Sequence, residues 1–211
     1  MYTGIIQACL PVTSVDAVRG LTRFSVTFDP VLLNGLKHGA SVSIDGVCLT
    51  VSDIRGHDVF FDAMGETLAK TTLSDLETGR RVNVERSAVA GAEIGGHVIS
   101  GHVHATAKIL KVESSANNRV MTVQLPSDLV RYVFDKGFIA LDGASLTVVG
   151  LNEKTSCFNV WFIPETLSRT TFGFKKAGDL INVEIDQTTR TIVDTIERIL
   201  SDPKITKDFL K

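Results

Sequence analysis

The 211-residue chain has few cysteines, one tryptophan and almost no excess of either charge. Its three cysteines form no CxxC spacing and no even disulfide framework, which favours reduced thiols and a cytoplasmic location. A formal net charge of -2 argues against a nucleic-acid partner, because such proteins present a basic surface. No apolar run approaches the roughly 20 residues of a membrane helix, and the N-terminus lacks a secretory pattern. We expect a globular cytoplasmic protein that binds neither nucleic acid nor membrane.

Motifs of several enzyme classes are missing too. There is no GxSxG, P-loop or GxGxxG, so serine hydrolysis and nucleotide phosphate chemistry have no support. On a strand, His102 and His104 would share one face and His97 the other, and no carboxylate or cysteine at ligand spacing completes a metal site. We therefore predict no metal. The glycines before His97 and His102 favour close approach of backbone to a ligand, with His102 as a hydrogen-bonding or proton-transferring group.

The chain does contain an internal repeat. The stretch Ile44–Val51 returns 97 residues later as Leu141–Val148, with the same Asp-Gly pair and Leu-Thr-Val end. Further on the offset becomes 99, where Glu66-Thr67-Leu68 matches Glu165-Thr166-Leu167. A period of this length indicates two similar domains. We place the first domain with its linker at 1–97, the second at 98–186, and a C-terminal helix and tail at 187–211.

Both halves have the patterns of a mainly β protein. Short apolar or alternating segments predict strands, and Asp-Gly predicts a hairpin turn. In the first half the predicted strands are 2–6, 21–28, 40–44, 48–54, 59–63 and 81–85, with short helices at 31–36 and 68–76. Many short strands at even spacing favour an antiparallel barrel in each half. From Gln187 onward apolar residues follow helical spacing. This helix could pack on its own barrels or against sister helices in an oligomer, and we expect the oligomer contact.

The two copies differ at polar positions. The differing pairs are Cys48 and Ser145, Ser41 and Phe138, and Ile5 and His102. Similar scaffolds with unlike polar residues indicate two related pockets with different roles. Simpler explanations stay open from the residues alone: the turn aspartates could only shape backbone, Cys48 could be a small buried side chain, and His102 could be structural. The threonines of the Glu-Thr-Leu triplets could bind a ligand or cap helices.

Several motifs in one order resemble a known family. They are Met1–Ile6, Gly46–Val51, Gly95–His97 with Ser100–His102, Asp142–Val148 and Ile163–Leu167. Over essentially the whole chain they resemble riboflavin synthase, the alpha-type enzyme with two lumazine-binding repeats. The resemblance implies two tandem six-stranded Greek-key β-barrels, a C-terminal α-helix, and a homotrimer held by these helices. It also implies no metal and no redox cofactor.

The implied reaction is a dismutation. Two molecules of 6,7-dimethyl-8-ribityllumazine exchange a four-carbon unit and give riboflavin and 5-amino-6-(ribitylamino)uracil. One lumazine is attacked at C7, while the other loses a proton from its C7 methyl group. The two lumazines of one site lie between the N-terminal barrel of one subunit and the C-terminal barrel of a neighbour. Because the two barrels hold both reactants in register, orientation supplies much of the rate acceleration. Association with lumazine synthase, the enzyme that makes this substrate, stays open.

The resemblance also assigns individual residues. Ser41 and Cys48 resemble the polar pair of the N-terminal pocket, and His102 resembles the histidine that assists methyl deprotonation. Asp142 resembles the carboxylate that helps to activate a nucleophile on the other substrate. These four are the predicted catalytic residues. The predicted substrate contacts are Gly4, Ile5, Ile6, Cys48, Leu49, Thr50, Asp62, Ala63, Met64, Gly65, Glu66, Thr67, Gly101, His102, Val103, Lys136, Ser145, Leu146, Thr147, Phe162, Ile163, Pro164, Glu165, Thr166 and Leu167.

The chain departs from the family pattern in two places. Tyr2 stands where the family usually has phenylalanine, and His104-Ala105 stands where many members have Asp-Gly. The alternative function is a non-catalytic lumazine- or flavin-binding protein of the same superfamily, and a purely structural barrel module ranks below it. The predicted catalytic residues together with an amphipathic C-terminal helix favour the enzyme.

Overall fold

The computed structural model describes residues 1–18, 20–115 and 118–202. The first half of the chain forms a closed barrel of antiparallel strands in the order β1-β2-β5-β4-β3-β6, which is a Greek-key arrangement. Its strands are β1 Ala8–Val18, β2 Leu21–Thr27, β3 Ser41–Ile44, β4 Val47–Arg55, β5 Asp58–Met64 and β6 Arg81–Arg86. No helix within the described ranges is long and apolar enough to cross a membrane.

The second half repeats this order with one strand divided. Its strands are β7 Ala105–Ser114, β8 Arg119–Gln124, β9 Phe138–Leu141, β10 Ala144–Thr147, β11 Val149–Asn152, β12 Cys157–Phe162 and β13 Leu180–Ile185. The sheet runs β10-β9-β13-β7-β8-β12-β11, so β10 and β11 together take the place of β4 and the barrel is nearly closed. The division falls at Val148, and its repeat partner Val51 begins the bulge of β4. The predicted pair of barrels with a C-terminal helix is confirmed, with this one strand split in two.

Short helices connect the strands, and a longer helix follows the last strand. They are α1 Pro30–Leu33, α2 Gly65–Lys70, α3 Pro164–Arg169 and α4 Gln187–Leu200, with 3₁₀ turns at Thr72–Asp75, Ser127–Tyr132 and Thr171–Gly173. Asp29 caps α1 by accepting from the Leu32 N–H, and Asp186 caps α4 by accepting from the Thr189 N–H. The predicted helix 68–76 is wrong in its bounds, because α2 begins earlier and a 3₁₀ turn follows it.

The capping alternative for the two Glu-Thr-Leu triplets is also wrong. Thr67 and Thr166 lie inside α2 and α3, which have no side-chain cap. The threonines that do cap are Thr71 and Thr170, whose hydroxyls accept N–H groups of the following 3₁₀ turns.

The predicted strand at residues 2–6 is wrong as well. Tyr2 pairs with Ile99 in an isolated bridge, and the first true strand begins at Ala8. Gly4 has a φ of 76°, which interrupts an extended ladder. The N–H groups of Thr3 and Gly4 are accepted by the Glu85 carboxylate instead of by a neighbouring strand.

Each barrel has its own apolar core. Phe24, Phe28 and Phe61 fill the first barrel, while Phe158 and Phe162 lie in the second. Ile6, from the segment before the first barrel, packs in the core of the second barrel. Val103, from the segment before the second barrel, packs against the core of the first. The two leading segments are therefore exchanged between the barrels.

The two barrels meet at their Asp-Gly turns. The φ angles are 46° and 82° at Asp45-Gly46, and 41° and 81° at Asp142-Gly143, as the mirror-image hairpin turn requires. The turns touch so closely that a Cβ on Gly46 would lie 2.6 Å from the Gly143 nitrogen. This contact fixes how the two mouths lie relative to one another.

Two buried asparagines fasten this contact. Asn83 Nδ2 donates to the Asp142 carbonyl at 2.9 Å, and Asn83 Oδ1 accepts from the Thr171 N–H at 2.8 Å. Asn182 makes the mirror pair, donating to the Asp45 carbonyl at 2.8 Å and accepting from the Thr72 N–H at 2.8 Å. Because each amide bonds across the interface with both ends, the barrels cannot rotate without leaving buried polar groups unpaired.

The carboxyl groups of the two turn aspartates are buried in this interface. Asp45 and Asp142 are almost wholly buried, with Arg80 at 3.5 Å from the first and Lys175 at 3.0 Å from the second. Burial and the nearby Asp142 carboxylate raise the pKa of Asp45 to about 7, although Lys175 and Arg80 act in the opposite direction. Burial alone would lower the pKa of Lys175, but the two carboxylates more than offset it and the pKa is raised.

This buried carboxyl predicts a pH-dependent stability. The pKa of Asp45 is about 7 when folded and near the ordinary value of about 3.9 when unfolded, so its contribution is fully present below pH ~4 and is lost as the pH rises through 7. Asp45→Asn keeps an oxygen for the Asn83 N–H but cannot ionise. We expect the free energy of unfolding of the wild type to fall more steeply between pH 4 and pH 7 than that of the variant, measured by urea titration at fixed protein concentration. Equal slopes for both proteins would contradict the assignment.

Candidate active site

The mouth of each barrel is completed by the exchanged leading segments. The Cys48 N–H, at the start of β4, donates to the Gly101 carbonyl at 2.8 Å. The Ser145 N–H, at the start of β10, donates to the Gly4 carbonyl at 2.9 Å. The repeat-equivalent residues Cys48 and Ser145 therefore sit beside repeat-equivalent glycines, each supplied by the other half of the chain.

Buried glutamates hold these segments in place. Glu85 accepts from the N–H and hydroxyl of Thr3 at 2.6 and 2.7 Å, and from the Gly4 N–H at 3.1 Å. Glu184 accepts from Ser100 in the same way at 2.7 and 2.7 Å, and from the Gly101 N–H at 2.9 Å. Burial raises the pKa of Glu85, and the bonds from Thr3 and Gly4 lower it in part. The repeated Asn-Val-Glu sequence thus contributes one amide to the barrel interface and one carboxylate to each mouth.

Glycine is required at positions 4 and 101 because the neighbouring barrel atoms leave no room for a Cβ. Gly4 has a φ of 76°, and a Cβ there would lie 2.5 Å from the Ser145 Cβ. Gly101 has a φ of 84°, and a Cβ there would lie 2.5 Å from the Cys48 Cβ. A side chain at either position would push the segment away from the mouth.

A cavity of about 540 Å³ opens at the mouth of the second barrel. It is lined by Gly4, Ile5, Ile6, Gln7, Ala144, Ser145, Glu165, Thr166, Arg169 and Thr170. This volume lies in the ordinary range for small-molecule sites. The cavity brings together six of the predicted contacts, namely Gly4, Ile5, Ile6, Ser145, Glu165 and Thr166. We call it the C-terminal pocket.

Sequence reasoning missed four lining residues of the C-terminal pocket, namely Gln7, Ala144, Arg169 and Thr170. The helical spacing gave a signal for one of them, because Arg169 lies one turn after Glu165 and forms an ion pair with it. Lys70 and Glu66 form the corresponding pair in the first barrel at 2.8 Å.

The corresponding mouth of the first barrel lies beside Gly101 and Cys48, and we call it the N-terminal pocket. Ser41, Cys48 and Thr50 share one face of the β3–β4 hairpin, since Ser41 pairs with Thr50 and Ser43 pairs with Cys48. Ser41 and Cys48 are partly exposed there, and His102 follows Gly101 with its side chain exposed. The structure thus brings three of the four predicted catalytic residues to one mouth.

Other predicted contacts have different surroundings. The side chains of Leu49, Ala63, Leu146 and Phe162 are buried in the barrel cores, so only their backbone can meet a ligand. Asp62 is held by Arg23 through two bonds of 2.7 and 2.8 Å. Met64, Gly65, Ile163, Pro164 and Lys136 are exposed. Thr67 and Leu167 are partly buried in α2 and α3, and Thr147 is exposed on β10.

Asp142 lies apart from both mouths. It is fully buried between the barrels, where one carboxylate oxygen accepts from the Asn182 N–H at 2.7 Å and the other faces Lys175. It is connected to the C-terminal pocket through the turn that precedes Ala144 and Ser145.

His104 and His97, the other two histidines of the segment 97–104, also have partners. The His104 ring lies 2.8 Å from an Arg190 guanidinium nitrogen of α4 and 3.2 Å from the Ile185 nitrogen. His97 Nδ1 lies 2.6 Å from Ser145 Oγ. On the other side, the Tyr2 hydroxyl donates to Cys48 Sγ at 3.1 Å. The sequence signals for these contacts were Gly95-Gly96-His97 and the replacement of the usual phenylalanine by Tyr2.

Comparisons with known proteins agree with this duplicated design. The family described as "Lumazine binding domain" matches the chain twice, at residues 3–87 and 100–186. Riboflavin synthase of Escherichia coli (strain K12) is 46% identical over 202 residues, which cover 95% of this chain and 94% of that protein. Riboflavin synthase of Mycobacterium tuberculosis (strain CDC 1551 / Oshkosh) is 38% identical over 202 residues, covering 95% and 98%.

Solved structures agree on the fold. The structure of LumP with riboflavin has a TM-score of 0.81 at 24% identity and covers 89% of this chain and all of that one. LumP with 6,7-dimethyl-8-(1'-D-ribityl) lumazine has a TM-score of 0.78 at 22% identity, covering 87% and 98%. The chain is therefore a protein of two lumazine-binding domains. At 46% identity over nearly its whole length, it belongs to the riboflavin synthase family.

The close contact at Gly101 can be tested by one methyl group. Gly101→Ala would strain the backbone and place a Cβ against Cys48, so we expect a loss of ~3 kcal/mol in the free energy of unfolding. Gly56→Ala is the matched control, since Gly56 also has positive φ but nothing within 4 Å of its added Cβ; there we expect about 1 kcal/mol. Chemical denaturation measures both. Equal losses would show that the segment does not press against Cys48.

Proposed function

We propose that this chain acts as a riboflavin synthase. Two molecules of 6,7-dimethyl-8-ribityllumazine react; one gives up a four-carbon unit and leaves as 5-amino-6-(ribitylamino)uracil, and the other receives it and leaves as riboflavin. The atoms balance without an oxidant, a reductant or a further reactant. The observation that carries the proposal is the duplicated mouth, in which Cys48 and Ser145 occupy equivalent places beside exchanged glycines.

Two like pockets suit a reaction between two copies of one molecule. The substrates must lie face to face, and holding them so is worth a large effective concentration. They must also play different parts, since one loses a methyl proton and the other is attacked at C7. Unlike residues at equivalent positions of the two mouths supply that difference.

We assign the proton transfer to the N-terminal pocket. His102 lies exposed beside Gly101 and can accept the methyl proton, with Ser41 and Cys48 facing the same ligand. Asp142 acts through the Asp-Gly turn, where its buried bonds fix the hairpin that carries Ser145. Lys136 is exposed next to Phe138 and is placed to meet a neighbouring subunit.

We further propose a homotrimer assembled through α4, in which the N-terminal pocket of one subunit faces the C-terminal pocket of the next. Val193 packs against the core of the second barrel, and Arg131 and Tyr132 bond to Glu197 and Asp194. A second apolar stripe of the same helix stays exposed within the chain, at Ile192, Ile196 and Leu200. A stripe at this spacing is typical of helices that pack on one another.

The activity is tested by mixing the protein with 6,7-dimethyl-8-ribityllumazine alone and following riboflavin absorbance. We expect turnover by the wild type and about 10- to 100-fold lower kcat for Cys48→Ala. Cys157→Ala is the matched control and should leave kcat unchanged, because that thiol lies at the start of β12 and bonds to the Thr155 carbonyl. A protein that retains bound lumazine and forms no riboflavin would be a binding protein and would refute the proposal.

The assembly is tested by placing a charge on the exposed stripe. Ile196→Glu should give the mass of one subunit by light scattering and lose riboflavin formation, because each complete site needs two subunits. Arg198→Glu puts the same charge on α4 beside the stripe and should keep the mass and activity of the wild type. An active monomeric Ile196→Glu protein would mean that one chain holds a complete site.

A further inference from the structure

The segment Gly95-Gly96-His97 contacts Ser145, which lines the C-terminal pocket. His97 is 8% exposed, its ring stacks on Phe138 at 5.2 Å between centroids, and its Nδ1 lies 2.6 Å from Ser145 Oγ. A Cβ on Gly96 would lie 2.4 Å from the Thr3 carbonyl oxygen and 2.6 Å from the Ser145 Cβ. Glycine at this position therefore permits the histidine to reach Ser145.

The direction of this hydrogen bond depends on which ring nitrogen of His97 carries the proton. Burial lowers the pKa of His97, and the Asp186 carboxylate offsets only part of that effect. With the single proton of the neutral ring on Nε2, Nδ1 is an acceptor and the Ser145 hydroxyl is the donor. The lone pairs of Ser145 Oγ are then what the serine offers to the cavity that it lines.

At the other mouth the equivalent side chain, Cys48, accepts a hydrogen bond from its neighbour. Cys48 Sγ accepts a hydrogen bond from the Tyr2 hydroxyl at 3.1 Å. Burial raises the pKa of Tyr2, so the phenol keeps the hydrogen that it donates. The S–H of Cys48 is not used in this bond and can be offered to a ligand. The repeat counterpart of Tyr2 is Ile99, whose side chain has no hydroxyl to donate.

We propose that His97 is a positioning residue that fixes Ser145 as a hydrogen-bond acceptor, and that the lumazine anion therefore forms in the N-terminal pocket. Loss of the methyl proton leaves a negative charge on the pteridine. That charge is favoured beside a donor such as Cys48 and disfavoured beside an acceptor oxygen. The C-terminal pocket then holds the lumazine that is attacked at C7. The inference rests on the proposed function, since it assigns the two substrates of that reaction.

Four variants separate the contributions of His97, Ser145 and Tyr2 to the ionisation of the bound lumazines. His97→Phe keeps a buried ring on Phe138 and removes Nδ1, while His97→Asn keeps an acceptor near the position of Nδ1. Ser145→Ala removes the hydroxyl itself. Tyr2→Phe is the matched control at the equivalent position of the other mouth, because it removes the donor to Cys48 and leaves Ser145 untouched. Thermal unfolding of each variant verifies that it is folded.

The readout is the ionisation of bound 6,7-dimethyl-8-ribityllumazine, recorded by its absorbance in stopped flow before the first turnover, from pH 6 to pH 9. For the wild type we expect two ionisation steps as the pH rises, one for each of the two lumazines bound at a site. In His97→Phe the Ser145 hydroxyl is free to donate, so the later step should move to lower pH while the earlier step stays. His97→Asn should restore the wild-type separation. Tyr2→Phe should move only the earlier step.

Turnover supplies the second readout. We expect kcat of His97→Phe to fall about tenfold, the size of one lost hydrogen bond to a charged or reacting group, and His97→Phe/Ser145→Ala to be no slower than Ser145→Ala alone. An unchanged later step in His97→Phe, or losses that simply multiply in the double variant, would overturn the proposal. If the wild type forms no riboflavin, the proposed function fails, but the titration needs no turnover and still tests the contact between His97 and Ser145.

Discussion

Gly46 and Gly143 pack against each other where the two barrels meet, and the contact leaves no room for a side chain at either glycine. The surrounding Asp45 and Asp142 carboxylates, buried beside Arg80 and Lys175, can only be tolerated because each also accepts a backbone N–H. Every other feature of the site depends on this arrangement. If the barrels shifted at the turns, the exchanged segments would no longer reach the opposite mouths.

The exchange of leading segments makes the two halves mutually dependent. Glu85, at the end of the first barrel, holds the segment whose Gly4 carbonyl pairs with Ser145 of the second barrel. Glu184 does the same for the segment that pairs with Cys48 of the first. Duplication has thus produced two mouths with one backbone plan. Because the side chains of Cys48 and Ser145 have different partners, Tyr2 and His97, the two mouths share a backbone plan and differ in hydrogen bonding.

Sequence reasoning worked where the signal was local. The Asp-Gly pairs require positive φ and predicted the hairpins. It failed where a tertiary contact overrode the pattern. Residues 2–6 have the composition of a short apolar strand, but the N–H groups of Thr3 and Gly4 bond to Glu85 and the true strand β1 begins at Ala8. Likewise Leu49 and Phe162 are near the predicted sites in sequence, yet strand alternation turns their side chains into the cores.

The sequence by itself determined the duplication, the two β-barrels, the amphipathic helix from Gln187 and the family, because repeated turns, strand alternation and helical spacing are encoded over short stretches. Only the tertiary structure decided which residues meet. It placed Gly101 on Cys48 and His97 on Ser145, and it placed Asp142 in the interface between the barrels, away from either mouth. These contacts join residues 40 or more positions apart, and their geometry depends on how two barrels pack, which no local pattern specifies.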